Sequence, residues 1–246
     1  MATLLLRLAA PLQAWGADSK FETRKTGREP TKSGVIGLLA AALGLRRDDE
    51  AALQALAGLR FAVRVDQEGQ LLADYHTAGN PLPHEVARAR AAGKTVNAQP
   101  YVTHRYYLAD AVFLAGLESD DEALLQKIAA ALSRPAFPLF LGRRACPPTM
   151  PLCLGIRQAR LLDALQSEPP QTAAWRRTEG KSYRIVTDAA PGEPGTAARR
   201  DLPLSFSPIH RQYGYRAVRQ IDLPASPASG GEPPVQTEHD PFAELR

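Results

Sequence analysis

A short apolar helix constrains the fold of this chain more than any other feature. Residues 33–43, SGVIGLLAAAL, follow a polar loop and are apolar on nearly every side of a predicted helix, with Thr31 or Ser33 to cap its start and Gly44 to end it. A helix that lacks a polar face has to be buried on most of its surface. The chain must therefore fold around this helix, and its 246 residues, 44% of them apolar, suffice for a large core.

The segments around this helix predict an α+β fold. Residues 79–100 differ from the rest because they are rich in Gly, Pro, Ala and basic residues, which predicts the tip of a projecting hairpin or a mobile insertion. The order strand, helix, strand, insertion, strand, helix, strand is that of the ferredoxin-like fold and of RNA-recognition modules. Its parts are predicted strands at 3–8, 59–66, 71–78 and 101–118 with a bend near Asp110, helices at 33–43, 49–57 and 120–135, and a strand end that opens the basic loop of 137–151.

The C-terminal part predicts a smaller β-rich lobe, with a helix at 156–166 and strands near 182–187, 202–206 and 214–223. The predicted domains are thus a palm over 1–150, the lobe over 151–224 and a mobile acidic tail over 225–246. From Gly231 onward the chain has four acidic residues and one basic residue, a net charge of −3, which leaves +7 on the rest of a chain whose total is +4. A basic body of this kind indicates a polyanionic partner.

The polar loop before the apolar helix raises the question of nucleotide binding. A phosphate-binding P-loop has the pattern GxxxxGK[ST] directly after a buried strand. Here Gly27 precedes Lys32 by five residues instead of six, and Thr31 occupies the place of the second glycine. The preceding segment is a loop and not a strand, so the pattern excludes an NTPase of this class.

A helix N-terminus surrounded by basic residues remains. Its unpaired N–H groups and positive dipole end suit an anion, and the residues there are Arg24, Lys25, Arg28, Lys32 and Ser33. A solvated basic loop would have the same composition. The sequence therefore leaves two readings open, an anion site and an ordinary polar surface.

Three further segments carry basic residues in patterns that suit RNA. Gly142, Arg143 and Arg144 form a basic turn in which the glycine would let the backbone approach a ligand and the arginines would contact phosphates. The fragments THRYY and IHRQYGY place His and Arg beside tyrosines, whose rings can stack on unpaired bases. Their candidate residues are His104 with Arg105 and His210 with Arg211. Ordinary surface turns and half-buried strand residues are the alternatives.

Catalytic and metal-binding motifs are absent from the sequence. The five histidines are scattered, and the two cysteines, Cys146 and Cys153, lack zinc-site spacing, so we expect no metal and no cofactor. His104 or His210 beside an arginine could still serve as the base of a metal-independent ribonuclease. No apolar stretch approaches the roughly 18 residues of a membrane span, and the first residues lack the pattern of a signal peptide. A soluble, cytoplasmic protein with no membrane partner is expected.

Several longer strings resemble one known family in their order along the chain. They are LLLRLAAPLQAWG, REPTKSGVIGLLAAALG, VTHRYYLADAVFLAGLE, FPLFLGRRACPP and SPIHRQYGYRAV, and together they span about residues 1–224. The chain is similar to the CasD family, the small RAMP-superfamily subunits of the type I-E CRISPR surveillance complex, Cascade.

The resemblance implies a fold and a role. CasD-like proteins have a ferredoxin-like palm with a projecting β-hairpin thumb, which corresponds here to about residues 75–100. They hold the 5′ handle of the CRISPR RNA (crRNA), cap a filament of CasC subunits and contact the large subunit CasA. CasB, CasE and target DNA near its PAM-proximal end are further partners within the complex. CasE cuts the precursor RNA in these systems, so the resemblance implies a noncatalytic protein.

The resemblance also implies positions for the candidate residues. The basic residues at the helix start and the Gly142 turn would hold handle phosphates, while His104 and Arg105 would lie near the junction with the guide. The thumb would carry Arg88, Arg90 and Lys94. Related families in other subtypes do cut precursor RNA, so a metal-independent endoribonuclease is the alternative function. A protein-interaction adaptor with solvated basic loops is a third class.

Overall fold

One large antiparallel sheet contains most of the strands in the structure, a computed structural model that describes residues 1–16, 22–79, 82–95, 101–176 and 182–224. The strands are β1 (Ala2–Ala9), β2 (Leu12–Gln13), β3 (Thr23–Arg24), β4 (Arg60–Gln67), β5 (Gln70–Ala78), β6 (Tyr101–Ala109), β7 (Val112–Ser119), β8 (Cys153–Arg157), β9 (Ser182–Asp188), β10 (Thr196–Ser205) and β11 (Gln212–Pro224). The helices are α1 (Lys32–Leu43), α2 (Glu50–Ala57), α3 (Pro83–Ala91), α4 (Glu122–Ser133) and α5 (Leu161–Ser167). The large sheet has the order β10-β11-β9-β4-β7-β1-β8.

The ferredoxin-like palm is confirmed. Its four strands lie side by side as β4-β7-β1-β8, and its two helices, α1 and α4, contact each other. Strand β1 is buried on both faces because Leu4 and Leu6 join the core that contains α1, while Leu5 joins a second core with α5. Helix α1 is buried as predicted, with Thr31 as its N-cap and Gly44 ending it in the left-handed conformation.

The fourth palm strand lies later in the chain than predicted. Residues 137–151 form an irregular loop, and β8 pairs with β1 instead, with Ile156 opposite Leu4. The loop contains Pro138, Pro147, Pro148 and Pro151; a proline has no backbone N–H to donate to a strand ladder. The helix predicted over 156–166 accordingly begins only at Leu161.

The residues after 151 are β-rich as predicted, and their strands extend the palm sheet. β9 pairs with β4, β11 pairs with β9, and β10 forms the edge. The domain boundaries at 150 and 224 stay predictions, and the acidic tail over 225–246 lies outside the described residues. In the described part of the chain, no helix is both long enough and apolar enough to cross a bilayer.

The predicted hairpin is present and carries a helix near its tip. β5 and β6 pair along their whole length, from Gln70 opposite Ala109 to Ala78 opposite Tyr101. Helix α3 lies between them and was not predicted, because it has no apolar face. Three local features stabilise this helix. Pro83 stands at its first position, the Glu85 carboxylate accepts from the Leu82 N–H at 2.9 Å, and its alanines favour helical structure.

Four charged side chains connect α1 to the C-terminal strands. Arg216 donates to both carboxylate oxygens of Asp201, at 2.6 and 2.9 Å, and to Asp188 at 2.6 Å. The Lys32 ammonium lies 3.0 Å from Asp188, and the Lys32 backbone N–H donates to Asp201 at 2.9 Å. Burial alone would lower the pKa of Arg216, yet the two carboxylates hold it above its ordinary value. We call these four residues the charge network.

The charge network predicts a large loss of stability on removal of one charge. Asp201→Asn leaves Arg216 with one carboxylate partner in a site where the Asp201 side chain is 1% exposed, and breaking a buried pair costs about 3–5 kcal/mol. We expect the urea concentration at the midpoint of unfolding to fall accordingly, while the dependence of the unfolding free energy on urea concentration stays unchanged. Asp48→Asn is the matched control, because Asp48 pairs with Arg46 on the exposed surface and should leave the midpoint unchanged. Equal midpoints for the two variants would contradict the role of the network.

Candidate RNA-binding surface

Two basic segments that are far apart in the sequence meet beside strand β6. β3 pairs with β6 in parallel and places Arg24 opposite Arg105. The Arg143 guanidinium in turn donates to the backbone carbonyl oxygens of Arg24 at 2.8 Å and Lys25 at 3.4 Å. The segment of Arg24 and Lys25 and the basic turn before β8 therefore form one surface. We call Arg24, Lys25, Arg105, Arg143 and Arg144 the basic surface.

Tyr107 fixes the orientation of Arg143. The guanidinium carbon lies 4.7 Å from the centre of the Tyr107 ring, which is 5% exposed and belongs to the main core. The Nη1 atom of Arg143 is buried and has no hydrogen-bond partner among the described residues. Arg143 is thus held in place by a ring and two carbonyls and retains a charged donor. Tyr107 belongs to the THRYY fragment, whose tyrosines were predicted to stack on bases. Its ring is buried and supports Arg143 instead, on the face of β6 that it shares with Arg105.

Gly142 allows a close approach to the chain itself, and its predicted close approach to a ligand stays a prediction. Its φ is +87°, and a Cβ there would lie 1.7 Å from the carbonyl oxygen of Ala14. The Ala14 N–H donates to the carbonyl of Leu141 at 3.1 Å, and the Leu141 N–H donates to that of Cys146 at 2.8 Å. The glycine is therefore needed to dock the basic turn against the segment after β2.

The start of α1 does hold an anion, but the anion belongs to the protein. The Asp201 carboxylate accepts from the Lys32 N–H, and the Thr31 hydroxyl accepts from the Gly34 N–H at 3.2 Å. The Lys32 side chain is 7% exposed and paired with Asp188, which corrects its predicted role in phosphate binding. Ser33 is half-buried, and of the predicted residues at this helix start Arg24, Lys25 and Arg28 are exposed.

The segment that carries these exposed residues is fastened by Glu29. Its carboxylate accepts from Arg184 at 3.0 Å and from Arg199 at 2.5 Å, both on strands of the large sheet. Burial alone would raise the pKa of Glu29, but the two guanidiniums outweigh it and hold that pKa below its ordinary value. Glu29 is thus an ionised anchor directly after Arg28.

His104 and Arg105 lie on opposite faces of β6, because successive side chains of a strand alternate. The Arg105 Nε donates to Thr103 at 3.1 Å, on the face that it shares with Tyr107. The His104 ring packs edge-on against Tyr75 across the hairpin, with centroids 5.5 Å apart. Asp74, opposite Arg105 in the register, is the acidic neighbour of the basic surface.

The other predicted residues lie away from the basic surface. Arg88, Arg90 and Lys94 are exposed at the tip of the hairpin, where α3 has no buried residue. His210 and Arg211 are exposed in the turn between β10 and β11, at the opposite end of the sheet order from β8. The structure therefore brings together residues from three of the predicted basic segments, with Arg24, Arg105 and Arg143 as their representatives, and separates the remaining ones.

The described ranges contain no group of three or more His, Cys, Asp or Glu side chains placed to hold a metal ion. Cys146 is a buried free thiol, and burial raises its pKa above the ordinary value.

Comparison with known proteins decides the family. A profile of the CRISPR-associated protein family (Cas_Cas5) matches residues 3–219. The chain belongs to this family. This Cas_Cas5 protein is 42% identical over 162 residues to the CRISPR system Cascade subunit CasD of Escherichia coli (strain K12), covering 63% of this chain and 71% of that protein. The resemblance noted from the sequence is thereby confirmed.

Solved structures agree with the assignment to Cas_Cas5. One chain of a CRISPR RNA-guided surveillance complex superposes with a TM-score of 0.77 at 36% identity and covers 91% of this chain and 90% of that chain. A crystal structure of a Cas protein superposes with a TM-score of 0.66, also at 36% identity, covering 90% of this chain and 95% of that one. The α+β fold of this Cas_Cas5 protein is therefore that of known CRISPR proteins.

Substituting Gly142 tests how the basic turn is docked. Gly142→Ala places a methyl group on the Ala14 carbonyl oxygen and should lower the free energy of unfolding by more than about 3 kcal/mol. Gly192→Ala is the matched control, because Gly192 has φ +88° and nothing within 4 Å; it should cost only the left-handed strain of about 1–2 kcal/mol. Urea titration of both variants gives the comparison, and equal losses would contradict the docking role.

Proposed function

We propose that this protein is a noncatalytic RNA-binding subunit of a CRISPR surveillance complex of the Cascade type, in which it holds the 5′ handle of the guide RNA. One observation carries the proposal: Arg24, Arg105 and Arg143 come together from separate segments beside Gly142. The similarity to the Escherichia coli Cascade subunit and to a chain of an RNA-guided complex supports the assignment.

The basic surface suits an RNA backbone on physical grounds. Arginine binds phosphate through paired N–H donors, and such charge-assisted bonds are stronger than neutral ones. Arg143 is already held against Tyr107, so little side-chain entropy is lost when it binds. Contacts of this kind carry no sequence information, so handle bases would have to be read elsewhere.

The proposal assigns roles to the remaining predicted residues. Exposed Arg28 extends the basic surface, and His104 on the other face of the hairpin contacts the region near the handle–guide junction. The residues proposed to lie along the guide from the thumb are Arg88, Arg90 and Lys94, and those of a separate contact at the β10–β11 turn are His210 and Arg211. Lys32 leaves the proposed set because the charge network holds it, and half-buried Ser33 is retained only at its margin.

The proposed protein partners rest on similarity alone. They are the backbone subunit CasC, whose filament this protein would cap, the large subunit CasA, and CasB and CasE within the same assembly. Target DNA near its PAM-proximal end is the proposed nucleic-acid neighbour besides crRNA. We propose no cofactor and no metal.

Reversing two arginines of the basic surface tests RNA binding. Arg24→Glu with Arg105→Glu should raise the Kd for single-stranded repeat RNA at least tenfold and reduce the slope of log K against log salt by about 1.4, since each phosphate contact to a single strand contributes about 0.7. Filter binding from low to high salt measures both. Arg46→Glu with Arg47→Glu, exposed near the start of α2, changes the net charge equally. The same loss in both double variants would contradict a specific surface.

The metal-independent endoribonuclease is the alternative, and its geometry is less favourable. His104 and Arg105 lie on opposite faces of β6, so the pair is poorly placed to act on one phosphate; His210 beside Arg211 is the other candidate base. We expect repeat RNA to stay intact on a denaturing gel after incubation with the protein in EDTA. A single cut that His104→Ala or His210→Ala abolishes would establish the nuclease instead. Absence of bound RNA and a salt-insensitive complex would indicate the adaptor.

A further inference from the structure

An exposed aromatic side chain lies near the end of the hairpin where β6 leaves it. The chain contains two tryptophans: Trp15 is 1% exposed and donates to the Gln13 side chain at 3.0 Å, whereas Trp175 is 78% exposed. The Arg176 guanidinium carbon lies 4.5 Å from the centre of the Trp175 ring and covers one side of it. Trp15 therefore belongs to the core, and Trp175 presents a large aromatic surface to solvent.

The Trp175–Arg176 pair is tied to the rigid part of the fold. Arg176 forms an ion pair with the Asp110 carboxylate. Asp110 has the left-handed φ of +57°, its N–H donates to the Pro11 carbonyl at 3.0 Å, and its own carbonyl accepts from the Gln67 side chain. The turn between β1 and β2 and the end of β4 thus both hold Asp110, and Asp110 holds Arg176 beneath the tryptophan ring.

This site is close to the basic surface along β6. Asp110 directly follows β6 and stands five residues after Arg105, which at about 3.3 Å per strand residue is about 17 Å. A single strand of RNA that follows β6 from the basic surface toward the C-terminal end of that strand would therefore reach Trp175. The Arg176 cation against the ring and the net charge of the chain both favour a polyanion over an apolar protein partner.

We propose that Trp175 is a stacking site for an unpaired base of single-stranded RNA bound at the basic surface. The inference rests on the proposed function and adds to it a contact with a base, where the basic surface supplies contacts with phosphates. Tryptophan rings stack on any base because every base has a π-face, and a neighbouring arginine adds a cation–π contribution. Arg176 and Asp110 are positioning residues for the ring.

Two RNA probes separate stacking from phosphate binding. The full-length protein is titrated with oligoadenylate about ten nucleotides long, a length within the range of single-strand sites, and with an abasic oligomer of the same length. Both present the same phosphates, and only the first can stack. We expect oligoadenylate to quench tryptophan emission and the abasic oligomer to bind without quenching. Trp175→Phe should abolish the quenching and retain binding, since Trp15 is buried.

The affinity change supplies an independent readout. Trp175→Ala should raise the Kd for oligoadenylate about 5- to 100-fold, the usual worth of one stacked base, and leave the Kd for the abasic oligomer unchanged. Phe137→Ala, which removes another exposed aromatic ring, is the matched control and should change neither. Asp110→Asn, which loosens Arg176, should weaken the quenching while Trp175 remains present.

The outcomes distinguish this inference from the proposed function. The stacking site would be overturned if wild type and Trp175→Ala bound both oligomers equally and no quenching occurred. The proposed function would stand in that case if reversal of Arg24 and Arg105 still abolished the binding. Failure to bind either oligomer would overturn both. A Trp175 emission already shielded from acrylamide in the RNA-free protein would also overturn the stacking site, since another surface would then cover the ring.

Discussion

The charge network is the interaction on which the arrangement of the whole fold depends. Two acids, Asp188 and Asp201, and two bases, Lys32 and Arg216, neutralise one another at the start of α1. Buried charges of this kind add little net stability over an apolar core, but each is costly to leave unpaired. The network therefore acts mainly on geometry, because α1, β9, β10 and β11 have to adopt the one arrangement in which every charge is matched.

The basic surface is built from segments that the fold itself brings together. Gly142 docks the basic turn on the Ala14 carbonyl, Arg143 reaches the carbonyls of Arg24 and Lys25, and Tyr107 supports the guanidinium from the core. The arginines are thus oriented before any ligand arrives. Glu29 likewise holds the segment of Arg28 in place, because its carboxylate forms ion pairs with Arg184 and Arg199.

Local patterns predicted the palm well, since hydrophobic spacing and capping residues are properties of neighbours in the sequence. The helix α1, the bend at Asp110 and the order of the palm elements all have such signals. No local pattern indicates the role of Lys32, because its partners are Asp188 and Asp201, more than 150 residues away in the sequence. The position of the fourth palm strand was predicted wrongly for a related reason, because only its pairing with the distant strand β1 identifies β8 as that strand. The separation of His104 from Arg105 follows from strand alternation and was available from the sequence alone.

The tip of the hairpin has a different relation to the rest of the molecule. Helix α3 contributes no buried residue, so the core imposes no demand on its side chains. Selection for folding therefore does not constrain this segment, and substitutions or changes of length there carry almost no penalty in stability. Outside the proposed RNA contacts Arg88, Arg90 and Lys94, divergence among related chains should accumulate at the tip while the palm stays constant, which leaves the tip free to adapt to new partners.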